Sequence, residues 1–168
     1  PDAFHYRRQF ALSLTTALAV DGFDRLSWGG DGGIFVARGD RKVDGTLAAA
    51  ARVHSVFSDW RPSVRLGEII GIRVSVHRAR VTTADDPGYC FGPELNDFMK
   101  HERDLQDPEA VASTVVTGRV FEDMSFEQQR HWCLLRESLG TLCQMYNLLD
   151  AGTRERASMG AEAVHQLE

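Results

Sequence analysis

Apolar residues recur at every fourth position near the start of the chain. Tyr6, Phe10, Leu14 and Leu18 share one face, which predicts a helix over 3–20 stopped by Gly22. "FDRLSW" and "GIFVA" are short apolar runs joined by Gly and Asp, the pattern of a β-hairpin with Asp31 at its tip. After the polar connection "RGDRKVDG", "TLAAAARVHSVFSDW" puts Leu47, Ala50, His54 and Phe57 on one helical face, and Pro62 ends it. "EIIGIRVSVHRARV" alternates, with Ile70, Ile72, Val74 and Val76 against Arg73, Ser75 and His77, as a half-buried strand does. The turn-rich "TTADDPGY" leads to a third helix through "PELNDFMKHERDL" and a β-branched strand, "AVASTVVTG". "MSFEQQRHWCLLRESLGTLCQMYNLLDAG" then predicts a long helix. It opens on Ser125 and Gln128 spaced as a capping box, carries Leu135, Leu139, Leu142, Tyr146 and Leu149 on one stripe, and closes at Gly152. The stripe reads as packing or a dimer seam, and residues 153–168 are polar and expected to fray.

Strands separated by helices, with one hairpin among them, predict an α+β fold whose helices pack on one face of the sheet, plus the C-terminal helix. The length of 168 residues suits one compact domain with a helical appendage, at 43% hydrophobic and 26% charged residues. A net charge of -5 argues against a protein that coats nucleic acid or lies on an anionic membrane. The apolar stretches are too short for a membrane span. Cys90, Cys133 and Cys143 show no C-x-x-C spacing and form an odd set, which fits reduced thiols of a cytoplasmic protein. The six histidines show no H-E-x-x-H spacing, and neither a G-x-x-x-x-G-K-[ST] loop nor a G-x-S-x-G elbow is present, so zinc hydrolase, P-loop and α/β-hydrolase readings drop out.

The candidate chemistry centres on "RLSWGGDGGIFVA", one carboxylate between two pairs of glycines. By itself this is also what an ordinary tight hairpin looks like. Four segments together resemble the class III nucleotidyl (adenylate/guanylate) cyclase homology domain. In that family a Gly-Asp pair at a hairpin turn supplies a metal-binding aspartate, matched here by Asp31. "IRVSVHRARV" is similar to the family's next strand. "YCFGPELNDFMK" is similar to the segment in which a Gly is followed four residues later by Asn and, after four more, by Arg; those positions read Gly92, Asn96 and Lys100. "ASTVVTGRV" fits the closing strand.

The resemblance covers residues 1–122 as a catalytic domain with a ferredoxin-like or palm-type sheet, leaving 123–168 as a C-terminal helical extension and tail. It implies cyclisation of a nucleoside triphosphate to a 3′,5′-cyclic nucleotide with loss of pyrophosphate. Two divalent cations per site, Mg2+ or Mn2+, would assist. Asp31 would be a metal ligand, Gly29 and Gly30 would admit phosphates to the backbone, Asn96 would orient the ribose, and Lys100 would stabilise the pentavalent phosphate. Arg103, one turn beyond, offers the guanidinium that the family has at the position of Lys100. Ser27 and Tyr89 stand where the family reads the base, and neither purine pattern is present. The pyrimidine cyclases of bacterial antiphage signalling belong to the same superfamily and are the smaller-base possibility. A homodimer is implied, because the family's metal aspartates and its Asn and basic residue come from opposite subunits. The family's first strand, with a further metal aspartate, is expected ahead of Pro1. Two other readings stand beside this one: a cyclase-homology module without catalysis that senses nucleotide or dimerises, and a relative of the GGDEF/palm-type dinucleotide synthases, in which Gly32 occupies the place of a second acid.

Overall fold

A computed structural model describes residues 3–37, 39, 42–64, 70–83, 90–101, 112–137 and 144–148. The amphipathic start forms helix α1 (Ala3–Val20), followed by the hairpin of β1 (Asp24–Gly29) and β2 (Gly32–Val36). Helix α2 (Val43–Trp60) ends in a 3-10 turn at Arg61–Ser63, where Pro62 stops the α-helical ladder. Strand β3 (Ile72–Val76) and the short pair β4 (Thr82–Thr83) and β5 (Cys90–Phe91) precede α3 (Pro93–His101). Then come β6 (Ala112–Thr117), α4 (Gly118–Glu122), α5 (Phe126–Gln129), β7 (Trp132–Glu137) and β8 (Gln144–Leu148). The fold is α+β.

Two sheets carry the architecture, a hairpin β1-β2 and a four-stranded sheet in the order β3-β6-β8-β7. β3 and β6 run parallel, paired from Ile72↔Ala112 to Val76↔Val116, and β8 joins antiparallel strands on both sides. The alternation of β3 sorts its side chains as its sequence requires. Val74 and Val76 pack with Ala50, Leu47 and Val116 under α2, while Ile72 joins Phe10, Leu14 and Phe57. His54 on α2 reaches the same face, its Nε2 2.8 Å from Thr114 Oγ1.

Chain directions follow from these contacts. Leu18, near the end of α1, accepts a hydrogen bond from the Phe23 N–H at 3.0 Å, and Phe10, earlier in the helix, meets Trp28 edge-to-face at 6.2 Å. Helix α1 is therefore antiparallel to β1. α2 meets the Val74–Val76 end of β3 near its own start and Ile72 near its own end, so it is antiparallel to β3.

Two expectations need correction. The long C-terminal helix is absent: the capping box at Ser125 and Gln128 forms as read, but it caps only the short α5, and 132–137 and 144–148 are strands. The apolar stripe in that region spans Gly140, which costs about 1 kcal/mol within a helix. The edge of β6 facing away from β3 also offers a full ladder to a strand, and β8 takes it with Val115↔Asn147 through Thr117↔Met145. Pairing between distant segments overrides a local period. β7 and β8 thus belong to the sheet of β3 and β6 and form no helical extension. The placement of helices on one face holds for α1 and α2. α3 meets the opposite side, where His77, on the alternate face of β3, stacks on Phe98 at 4.5 Å.

Two half-buried histidines, His54 and His77, set a pH dependence. Burial holds His54 below its ordinary 6.5. At His77 burial acts first and the Arg119 charge adds to it, against an opposing effect of Glu94. The unfolded chain takes up these protons at a higher pH than the folded one. Their contribution is therefore complete above about pH 6.5 and is lost as the pH falls through the lowered values. Urea midpoints should fall between about pH 7.5 and about pH 5.5, and His54→Gln should flatten that fall. An unchanged slope in the variant would remove His54 from the account.

Candidate functional site

The hairpin tip is built from four glycines with separate tasks. Gly29 pairs with Gly32, so Gly30 and Asp31 alone make the turn. Gly30 takes φ 60 at the first central position, the conformation of a type II′ turn that disfavours a side chain. Gly33 faces Trp28 across the ladder, and a Cβ there would strike the indole ring. That ring in turn meets Phe10 and ties the hairpin to α1. Gly29 and Gly32 differ from both, because a Cβ at either would meet only open space. Neither φ nor packing requires glycine there, and the result is bare backbone on both sides of the exposed Asp31.

α3 is held from three directions. The Glu94 carboxylate accepts from the Arg80 N–H at 2.8 Å and pairs with Arg119 Nη1 at 2.8 Å, and these hydrogen bonds lower its pKa. At Gly92 the backbone passes so close to Arg80 that a Cβ would lie 2.7 Å from its carbonyl oxygen. Phe98 stacks nearly parallel on His77, whose Nδ1 lies 3.1 Å from Thr117 Oγ1. From this anchored helix Asn96 and Lys100 project on an exposed face, with Lys100 4.0 Å from Asp97 one turn back.

Ser27, Gly29 and Asp31 line one open cavity together with Asn96 and Lys100. Its volume is about 1690 Å³, beyond the roughly 300–1000 Å³ of a small-molecule pocket, and its lining runs from the hairpin to α3. Arg73, Arg78, Arg80 and Lys100 stand on its wall against Asp31 and Asp123, and Asp123 is engaged by Arg78. The wall is net positive and suited to a polyanion. Tyr89 and Arg103 lie outside the described residues. Sequence reading missed the three arginines and Glu94. The arginines were visible in "IRVSVHRARV", where Arg73 alone was read, as part of the polar face of a strand.

Among the described residues no three His, Cys, Asp or Glu side chains gather as a metal site. A lone carboxylate still fits one Mg2+, which binds through one or two carboxylates plus substrate phosphates and keeps its waters. Asp31 beside bare backbone has that character. A second cation has no free carboxylate on the described wall. Among the described residues no helix is long and apolar enough to cross a membrane. No family model, curated protein or solved structure matches the chain.

The division among the glycines is measurable by thermal or urea unfolding. Gly29→Ala and Gly32→Ala should stay within about 0.5 kcal/mol of the parent. Gly33→Ala should lose about 1–3 kcal/mol through its clash with Trp28. Equal losses at all three positions would mean that the outer pair is structural.

Proposed function

We propose that the chain is a nucleotidyl cyclase domain that binds a nucleoside triphosphate in the cavity between the hairpin tip and α3. The reading rests on one observation: Asp31, at a tip where the fold needs neither Gly29 nor Gly32 to be glycine, shares a net-positive cavity with Asn96 and Lys100. Bare backbone at Gly29 and Gly30 lets phosphate oxygens approach. Asp31 would hold a divalent cation, Mg2+ or Mn2+, carried in on the triphosphate, which would neutralise phosphate charge there. The protein ligand for the second cation of a two-metal site comes from outside the described residues.

Asn96 orients the ribose, and Lys100 places its charge at the phosphate under attack, with Arg103 as a further cation. The 3′-hydroxyl gives its proton to solvent water and attacks the α-phosphorus, the bond from that phosphorus to the oxygen bridging to the β-phosphate breaks, and pyrophosphate leaves. Ser27 and Tyr89 read the base, which the short hydroxyl and the ring suit to a pyrimidine. A homodimer, the assembly that the resemblance implies, would carry two equivalent sites about its two-fold axis. Cyclic-nucleotide signalling in the cytoplasm, including antiviral defence, is the setting we assign.

A second reading, a module that binds nucleotide without turnover, is favoured by Lys100 itself. Its ammonium lies beside Asp97 and lacks the bidentate geometry of a guanidinium. Incubation with ATP, GTP, CTP and UTP in turn, with Mn2+, should release pyrophosphate and a 3′,5′-cyclic product from at least one of them. Asp31→Asn should lower that rate by at least about a hundredfold while the exposed turn keeps its unfolding midpoint. Undiminished turnover would refute the metal assignment. Binding without product would leave the silent module, and a dinucleotide product would favour the palm-type synthases.

A further inference from the structure

Helix α3 has nine residues, too few to persist in water without tertiary support. Its half-buried side chains are Glu94, Leu95 and Phe98. The first turn is held by Glu94 to Arg80 and Arg119 and by the close approach at Gly92. Further along, between Asn96 and Lys100, the ring of Phe98 rests on His77, 4.5 Å away and 5° from parallel.

His77 directly follows β3 and reaches Thr117, the last residue of the parallel strand β6, with Nδ1 3.1 Å from the buried Oγ1. Its other ring nitrogen, Nε2, is buried and finds no hydrogen-bond partner among the described residues. A neutral imidazole tolerates this, since the tautomer with its proton on Nδ1 donates to Thr117 and leaves only a lone pair at Nε2. A second proton on Nε2 makes a buried, charged donor without an acceptor.

The surrounding charges do not compensate it. Arg119, at the start of α4, repels an imidazolium. Glu94 attracts it through its charge and its backbone, yet that carboxylate is already engaged by Arg119 at 2.8 Å. On the exposed side of α3, Asp97 and Lys100 stand 4.0 Å apart. Along the segment of His77 itself, Arg78 pairs with Asp123 and Arg80 lies 3.9 Å from Glu94. Arg73 and Asp31 line the same cavity as His77. Stacking a cation on Phe98 gains a weak attraction, smaller than the loss from an ionised donor kept out of water. Burial and Arg119 together hold His77 below its ordinary 6.5, so the ring is neutral at neutral pH.

We propose that His77 is an acid-sensitive latch for α3: the neutral ring seats Phe98 against the sheet, and its protonation releases the part of the helix that carries Asn96 and Lys100. The latch does not depend on what the cavity binds. Its consequence, a site that loses those two groups in acid, rests on their assignment to the nucleotide.

Hydrogen–deuterium exchange of the 168-residue chain at about pH 7.5 and about pH 5.5, corrected for the intrinsic rate at each, provides the test. On acidification, amides 97–101 should lose at least about tenfold more protection than those of β6. His77→Phe keeps a ring under Phe98 but takes no proton, and it should abolish this difference. His54→Gln should retain it. No differential loss, or the same loss in His77→Phe, overturns the proposal. So does a gain of protection at the lower pH, which would mean an imidazolium gripped between Phe98 and Glu94. Should His77→Phe fail to fold, NMR of the parent chain decides: α3 amide shifts that follow the His77 ring titration support the latch, and shifts with a different midpoint overturn it. No nucleotide is present in these measurements, so their failure is separate from a failure of the cyclase reading.

Discussion

The arrangement depends on the contact that α2 makes with two apolar clusters at once. Near its start Leu47 and Ala50 pack on Val74, Val76 and Val116, and near its end Phe57 packs on Phe10 and Leu14. The helix of 18 residues is about 27 Å long, enough to bridge both. Trp28 and Phe35 join the second cluster, so the hairpin is tied to α1 and through it to α2, while β3 and β6 are tied to α2 directly. Among the described residues the hairpin and the four-stranded sheet share no backbone ladder, and their spacing is set by side chains on this helix. The cavity between them follows from that spacing.

The candidate functional side chains sit at the margins of this frame, where exposure is tolerated. Asp31 occupies a turn that Gly30 makes possible, and Asn96 and Lys100 ride on a helix whose start is pinned by Glu94 to Arg80 and Arg119. Those exposed ion pairs contribute little stability each. Their effect is positional, since Glu94 joins the segment after β3, α3 and the start of α4 at a single carboxylate. The stack of Phe98 on His77 fixes the same helix one turn later. A polyanion entering the cavity meets cations on a fixed wall and bare backbone at the hairpin, a combination that favours phosphate over a neutral ligand.

Much of the fold was legible because its periods are clean. Phe10, Leu14 and Leu18 fall on one buried face as their spacing demands, and the alternation from Ile72 to Val76 sorts β3 correctly. The C-terminal third was misread because its apolar spacing matches a helix, whereas the deciding influence is the open edge of β6, distant in sequence. Within the site, Asp31, Asn96 and Lys100 stood out as residue types at suggestive spacings. The different tasks of the four glycines did not, since "GGDGG" is the same string whether a glycine serves a turn, an indole ring or nothing in the fold. Arg73 read only as part of a polar strand face, and Arg78 and Arg80 carried no reading, until the cavity gave the three a common wall.

Paramagnetic broadening by Mn2+ delivered with a nucleoside triphosphate tests the central claim most directly, because it reports distance from the cation at each backbone amide. The account predicts that signals of Gly29 to Gly33 and of α3 around Asn96 broaden together, and that Asp31→Asn removes both effects. Broadening that spares the hairpin tip, or that survives unchanged in the variant, would contradict it.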